Sequence, residues 1–198
     1  MAAPLIIDLD GVLRIWDPNI ITDAEKTSGL PTGALSAAAF GDDELLIRAI
    51  TGAISDEEWR REIAGRLAAH FGDAAFAAVK LWSKSAGTVD SEVLAVIRDE
   101  RRRREVAILS NATTRLDSDL SRLGLCEEVD HVINSSDLGV AKPDPLIFLR
   151  ACELLHRAAE DCLFVDDTFA NARAATSAGL RAHHYTNVDG LRSFLAAC

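Results

Sequence analysis

Leu5-Ile6-Ile7-Asp8-Leu9-Asp10-Gly11-Val12-Leu13 is an apolar run that ends abruptly in two carboxylates and a glycine. That pattern reads as a buried strand delivering acids to its carboxyl end, where open α/β sheets place their ligands. Side chains alternate across a strand, so Asp8 and Asp10 leave it on the same side if extended geometry persists to Asp10. Gly11 permits the sharp exit that follows. Two acids so close can divide labour: one attacks an electrophile or holds a metal, and the other, its pKa raised by the first, carries a proton. A solvated strand end with acidic turn residues is the plain alternative for this motif taken alone.

Outward from this stretch lie four more short β-leaning runs: Val106 to Leu109, His131 to Ile133, Cys162 to Val165 and Arg181 to Tyr185. Helical patterns separate them. Leu116, Leu120 and Leu123 share a face closed by Gly124; Ile147, Ala151 and Leu154 form another; Phe169 to Ala178 is alanine-rich and closed by Gly179. Alternating strands and helices at this spacing imply right-handed crossovers, hence a doubly wound parallel α/β sheet with helices on both faces.

The first two strands are separated by far more chain than one crossover helix needs, with no convincing strand in between. An all-α insertion over residues 15–85 is the reading, leaving residues 1–14 and 86–198 as the core. Ser55-x-x-Glu58 is a capping box opening a helix with Trp59, Ile63 and Leu67 on one side, and Thr22-x-x-Glu25 resembles a shorter one. Asp43 to Ile50 and Asp73 to Trp82 also read as helices, and Ser91 to Arg102 returns the chain to the sheet.

The chain of 198 residues supports one substantial domain with an insertion. Its 21 basic and 31 acidic residues leave a net charge of −10, which argues against nucleic acid or an anionic membrane as partner. Arg101 to Arg104 falls at a helix end, where cations favour the dipole, and reads as a solvated end rather than a binding patch. Cys126, Cys152, Cys162 and Cys198 lack metal-site spacing and read as free thiols. The N-terminal stretch resembles neither a signal peptide nor a membrane span, so a reducing cytoplasm is the expected location.

Each later strand also ends in chemistry. Val106 to Leu109 leads into Ser110-Asn111, a small hydroxyl and backbone amides suited to an anionic oxygen. Lys142-Pro143-Asp144-Pro145 places Lys142 just before a helix that Asp144 caps. Leu163-Phe164-Val165 ends in Asp166-Asp167, with Asn171 one helical turn on. Four acids and one lysine in one cleft are unfavourable without a divalent cation, and such hard oxygen donors suit magnesium together with a substrate phosphate.

With these residues assembled, the chain resembles the haloacid dehalogenase-like superfamily, in the branch that carries an α-helical cap directly after the first motif. Asp8-Leu9-Asp10-Gly11-Val12, Ser110-Asn111, Lys142-Pro143-Asp144 and Val165-Asp166-Asp167 resemble its four motifs in order. The resemblance implies a five-stranded parallel sheet of order 5-4-1-2-3. It also implies that Asp8 attacks phosphorus and forms an aspartyl-phosphate, and that Asp10 protonates the leaving alcohol and then activates water. Ser110, Asn111 and Lys142 would hold phosphoryl oxygens. Magnesium would be held by Asp8, the main-chain carbonyl of Asp10, Asp167 and, directly or through water, Asp166. Members that cleave carbon–halogen bonds generally lack the acid at Asp10, so its presence resembles the phosphatase branch.

A cap that closes over the cleft implies a small phosphorylated metabolite, such as a sugar phosphate, and the expected assembly is a monomer or homodimer, between which the sequence does not decide. Arg14, Trp16, Lys80, Trp82 and Lys84 stand near the hinges, where packing competes with substrate contact. His183 and His184 point to opposite faces of the last strand and form no metal pair. A phosphomutase would use the same motifs, and a non-catalytic binding or signalling protein on the same fold is the rival from another class.

Overall fold

A computed structural model of the protein describes residues 2–198. The chain opens with strand β1 (Leu5–Ile7), turns through Gly11 into the short strand β2 (Arg14–Ile15), and then builds five helices. These are α1 (Ile20–Ser28), α2 (Ala34–Phe40), α3 (Asp43–Ile50), α4 (Asp56–Phe71) and α5 (Asp73–Trp82). Strand β3 (Thr88–Val89) pairs antiparallel with β2, so a two-stranded ribbon ties the two ends of the helical segment together. That ribbon was not expected. At two residues per strand it is too short to show an alternation in the sequence.

Beyond it follow α6 (Ser91–Glu100), β4 (Val106–Ser110), α7 (Leu116–Leu123), β5 (His131–Asn134), α8 (Ser135–Leu138) and α9 (Pro145–Leu154). The chain closes with β6 (Leu163–Asp166), α10 (Phe169–Ser177), β7 (Arg181–His184) and α11 (Val188–Ala196). The main sheet is parallel with order β5-β4-β1-β6-β7, which is 5-4-1-2-3 when its own five strands are numbered along the chain. Strand β1 is central, with Leu5 level with both Val106 and Leu163; the chain passes from it to β4 and β5 on one side and then crosses back to β6 and β7 on the other. This is the switch point at which a crevice opens beyond the carboxyl ends.

Alternate residues of the strands feed two cores. Leu5, Ile7, Ile108 and Val165 pack with α6, α7 and α11, whereas Ile6, Leu109 and Phe164 pack with α9 and α10. Full burial of such side chains is worth roughly 1.5–3 kcal/mol each, so a slip by one residue would exchange the two faces and is strongly opposed. The helical segment has its own core, in which Trp59, Ile63 and Leu67 of α4 are all buried as their spacing predicts.

The Ser55–Glu58 capping box is present in both directions. Thr22, by contrast, lies inside α1, which starts after Asn19. Glu25 is instead buried and accepts hydrogen bonds from the Gly33, Leu35 and Ser36 amides, capping the start of α2. On α9 the buried face continues from Ile147 and Ala151 toward Leu155, at the end of the helix, while Leu154 is exposed. Among the described residues no helix is long and apolar enough to cross a membrane, and all four cysteines are free.

Candidate active site

The turn that follows β1 sets the site. Leu13 and Arg14 donate their amides to the Leu9 carbonyl, and Gly11 takes φ +80°. A β-carbon on Gly11 would stand 2.0 Å from Asp167 Oδ2, so the close approach of the fourth motif to the first requires glycine here.

Asp8 lies one residue past β1 and is buried. Its Oδ1 accepts from the Leu9 amide at 2.7 Å and from Lys142 Nζ at 2.8 Å. Its Oδ2 accepts no hydrogen bond among the described residues. Lys142 Nζ also donates to Asp166 Oδ2 at 2.7 Å and to the Leu109 carbonyl at 3.0 Å. Its three protons are therefore all committed, and it serves a substrate oxygen only by exchanging one of these acceptors. Burial opposes the lysine charge, but Asp8 and Asp166 outweigh it and hold Lys142 above the usual lysine range. Burial, together with the charge of Asp166, pushes Asp8 up to about 7 against the pull of Lys142.

Asp166, at the end of β6, is wholly buried. Besides Lys142 it accepts from the Thr168 amide at 2.8 Å and from Asn171 Nδ2 at 3.0 Å. Asp167 is exposed to the cleft, and partial burial beside Asp166 raises its pKa. Carboxylate oxygens of Asp8, Asp166 and Asp167 all lie within 4.8 Å of one another, a spacing that one divalent cation spans. Asp10 is the acid that the structure holds apart. Its Oδ1 accepts from Arg14 Nε and from Trp16 Nε1, both at 2.6 Å, and its Oδ2 from Arg14 Nη2 at 2.8 Å. Its carboxylate thus faces the insertion rather than the acid cluster.

Ser110, the last residue of β4, is buried, and its Oγ has no hydrogen-bond partner. A buried hydroxyl left so is costly unless a ligand completes it. Asn111 acts through its side chain: Nδ2 donates to the Lys142 carbonyl and Oδ1 accepts from the Lys142 amide, both at 2.8 Å. This reciprocal pair fixes the backbone that carries the lysine. Asp8, Asp10, Ser110, Lys142 and Asp167 line one cavity of about 320 Å³.

Arg14, which the sequence places at the hinge where packing competes with substrate contact, and Asp119, which no sequence pattern points to, both take part. Arg14 is buried, forks onto Asp10 and stacks 4.6 Å over the Trp16 ring. Asp119 on α7 is buried between Arg14 and Arg115, at 3.4 and 2.9 Å. The separation of four between Asp10 and Arg14 was a weak signal, because the intervening segment is a turn and not a helix. Lys80 and Lys84 are exposed, and His183 stacks on Phe194 while His184 Nε2 meets the Asp167 carbonyl at 2.9 Å.

Residues 5–179 match the haloacid dehalogenase-like hydrolase family. A protein of Mycobacterium tuberculosis named as a phosphatase is 36% identical over 89 residues, covering 43% of this chain and 41% of that protein. The aligned segment spans less than half of each of the curated relatives it matches. Among solved structures, a HAD family enzyme of Bacteroides thetaiotaomicron in complex with magnesium and inorganic phosphate superposes with a TM-score of 0.76 at 20% identity, covering 94% of this chain and 95% of that one. A 2-haloacid dehalogenase of Pseudomonas syringae superposes with a TM-score of 0.71, also at 20% identity, over 100% and 99% of the two chains.

Proposed function

Because this chain belongs to the haloacid dehalogenase-like hydrolase family, we propose that it is a magnesium-dependent phosphatase acting on a small phosphorylated metabolite through an aspartyl-phosphate. The observation that carries the choice of phosphatase over dehalogenase is Asp10, retained at the edge of the acidic cavity and held by Arg14 and Trp16. A carbon–halogen bond needs no acid there, whereas an alkoxide leaving group does.

The residues fit a cation. Asp8, Asp166 and Asp167 converge within 4.8 Å, a cluster of like charge that only one lysine offsets. Magnesium held by these three, with the Asp10 carbonyl, would neutralise the acids and draw charge from the phosphoryl group. The chain supplies the rest. Asp8 Oδ1 is tethered by Leu9 and Lys142, which leaves Oδ2 as the attacking oxygen. Ser110 Oγ donates to a phosphoryl oxygen and gains the partner it lacks. Rotated away from Arg14 and carrying a proton acquired from water, Asp10 would give that proton to the leaving oxygen and would later take one from the attacking water.

A panel of phosphomonoesters assayed with magnesium tests this reading. Stoichiometric release of inorganic phosphate, without a bisphosphate activator, is expected from wild type and is lost on chelation. Asp8→Asn is expected to fold and to lose activity by a factor on the order of 10³ or more. Isomerisation of a sugar phosphate without release would mark a mutase instead, and equal turnover by variant and wild type would remove Asp8 as nucleophile.

A further inference from the structure

The acidic cavity shares Asp10 and Asn111 with a larger one, of about 410 Å³, enclosed between the helical insertion and the carboxyl edge of the sheet. A leaving group directed past Asp10 would enter this second space. Its walls include Trp16, Ile21, Phe40, Leu46, Trp59 and Trp82. Phe40, Trp59 and Trp82 meet edge to face, with ring centroids 5.5 to 6.1 Å apart. Trp16 and Phe40 nevertheless remain 37% and 45% exposed, and large aromatics left open on a concave wall mark a surface awaiting an apolar group.

The arginines of this cavity are already bound to carboxylates of the same wall. Arg14 is bound to Asp10, Arg60 to Asp56 at 2.7 Å, and Arg115 to Asp119 at 2.9 Å. Thr113 donates to Asp56 at 2.8 Å. Every arginine on the wall is thus paired with a carboxylate, and no lysine lines it. A carboxylate or a second phosphate drawn to Arg60 or Arg115 would compete with Asp56 or Asp119 for it, and a displaced carboxylate would be left unmatched. Trp59 is only 4% exposed, and its indole N–H has no hydrogen-bond partner among the described residues.

We infer that the ester accepted here carries an uncharged aromatic alcohol, its ring seated against Phe40, Trp59 and Trp82 and its bridging oxygen at Asp10. This rests on the phosphatase reading and narrows it, away from sugar phosphates and from bisphosphates. Phe40 is the specificity residue of the set that is accessible enough to replace without opening the insertion core.

Four esters of alkyl alcohols separate the possibilities: 2-phenylethyl phosphate, ethyl phosphate, glucose 6-phosphate and phosphoglycolate, each with magnesium. The aromatic ester is expected to exceed the other three in kcat/KM by on the order of tenfold or more, the usual worth of burying a ring. Comparable values, or preference for the hydroxylated or carboxylated ester, would overturn the inference and leave the phosphatase reading intact. Absence of phosphate release from all four would overturn that reading and the inference with it. Phe40→Ala is expected to raise KM for the aromatic ester several-fold more than KM for ethyl phosphate; an equal loss on both esters would make Phe40 merely structural and overturn its role. A binding readout independent of turnover comes from metal-free protein, where 2-phenylethanol is expected to change tryptophan fluorescence saturably and glycerol to leave it unchanged. No response to 2-phenylethanol would overturn the inference.

Discussion

Asp167 approaches the backbone of Gly11 so closely that any side chain there displaces its carboxylate. Gly11→Ala is therefore expected to weaken magnesium binding by on the order of tenfold, read as a smaller rise in melting temperature on adding the metal. A wild-type response would place Asp167 outside the metal set. Arg14 poses a different question, because it holds Asp10 through two parallel bonds, at 2.6 and 2.8 Å, a geometry that lysine does not reproduce. Arg14→Lys is expected to lower kcat on alkyl phosphates by roughly tenfold to a hundredfold, within the range of general acid catalysis. On p-nitrophenyl phosphate, whose leaving group needs no proton, the loss is expected to be far smaller. Equal losses on both substrates would assign Arg14 to packing alone.

At the level of elements, the insertion depends on a carboxylate that the sequence pattern misassigned. Glu25 sits in α1 but caps α2, and Gly33, Leu35 and Ser36 all donate to it. Charge-assisted bonds to backbone amides are worth about 1.5–3 kcal/mol, and the N-terminal dipole of α2 adds to them. Glu25→Gln is expected to cost about 2 kcal/mol in denaturant unfolding while leaving β1, β4 and β6 in place. The Thr22 pattern has the residue types and spacing of a cap, but the helix starts three residues earlier, after Asn19, where the chain turns through Asp17. On α9 the helical period allowed either Leu154 or Leu155, and the position of the sheet decided for Leu155.

For the molecule as a whole, the acidic surplus is held partly in bonds that matter at low pH. Hydrogen bonds from Arg66, Ser55 and Arg98 hold Asp42, Glu58 and Glu128 below the usual carboxylate range. Asp130 is lowered as well: partial burial opposes its charge, but Arg101 and the Val106 amide outweigh that. A carboxylate with a lowered folded pKa contributes stability that is complete above its unfolded value, near 4, and disappears as pH falls through the folded value. Melting temperature is accordingly expected to decline between about pH 5 and pH 3. Asp130→Asn is expected to flatten part of that decline, and an unchanged acid limb would show that Asp130 does not contribute to it. Asp130 also joins the end of α6 to the first residue of β4, through Arg101 and Val106, so its loss bears on the sheet that positions Ser110.

The order of strands and helices, and the placement of an acid, a hydroxyl or a lysine after four of the strands, follow from the sequence alone. Strands buried on both faces must be short apolar runs, and residues that end such runs abruptly are delivered to the sheet edge. Only the tertiary structure decided where the carboxylates point. Asp8, Asp166 and Asp167 converge while Asp10 turns toward Arg14 and Trp16, because its direction depends on a turn and on partners that no local period encodes. The aromatic cavity has the same origin: its walls come from α2, α4, α5 and the turn after β1, segments distant along the chain that acquire a common chemistry only when the insertion folds back over the sheet.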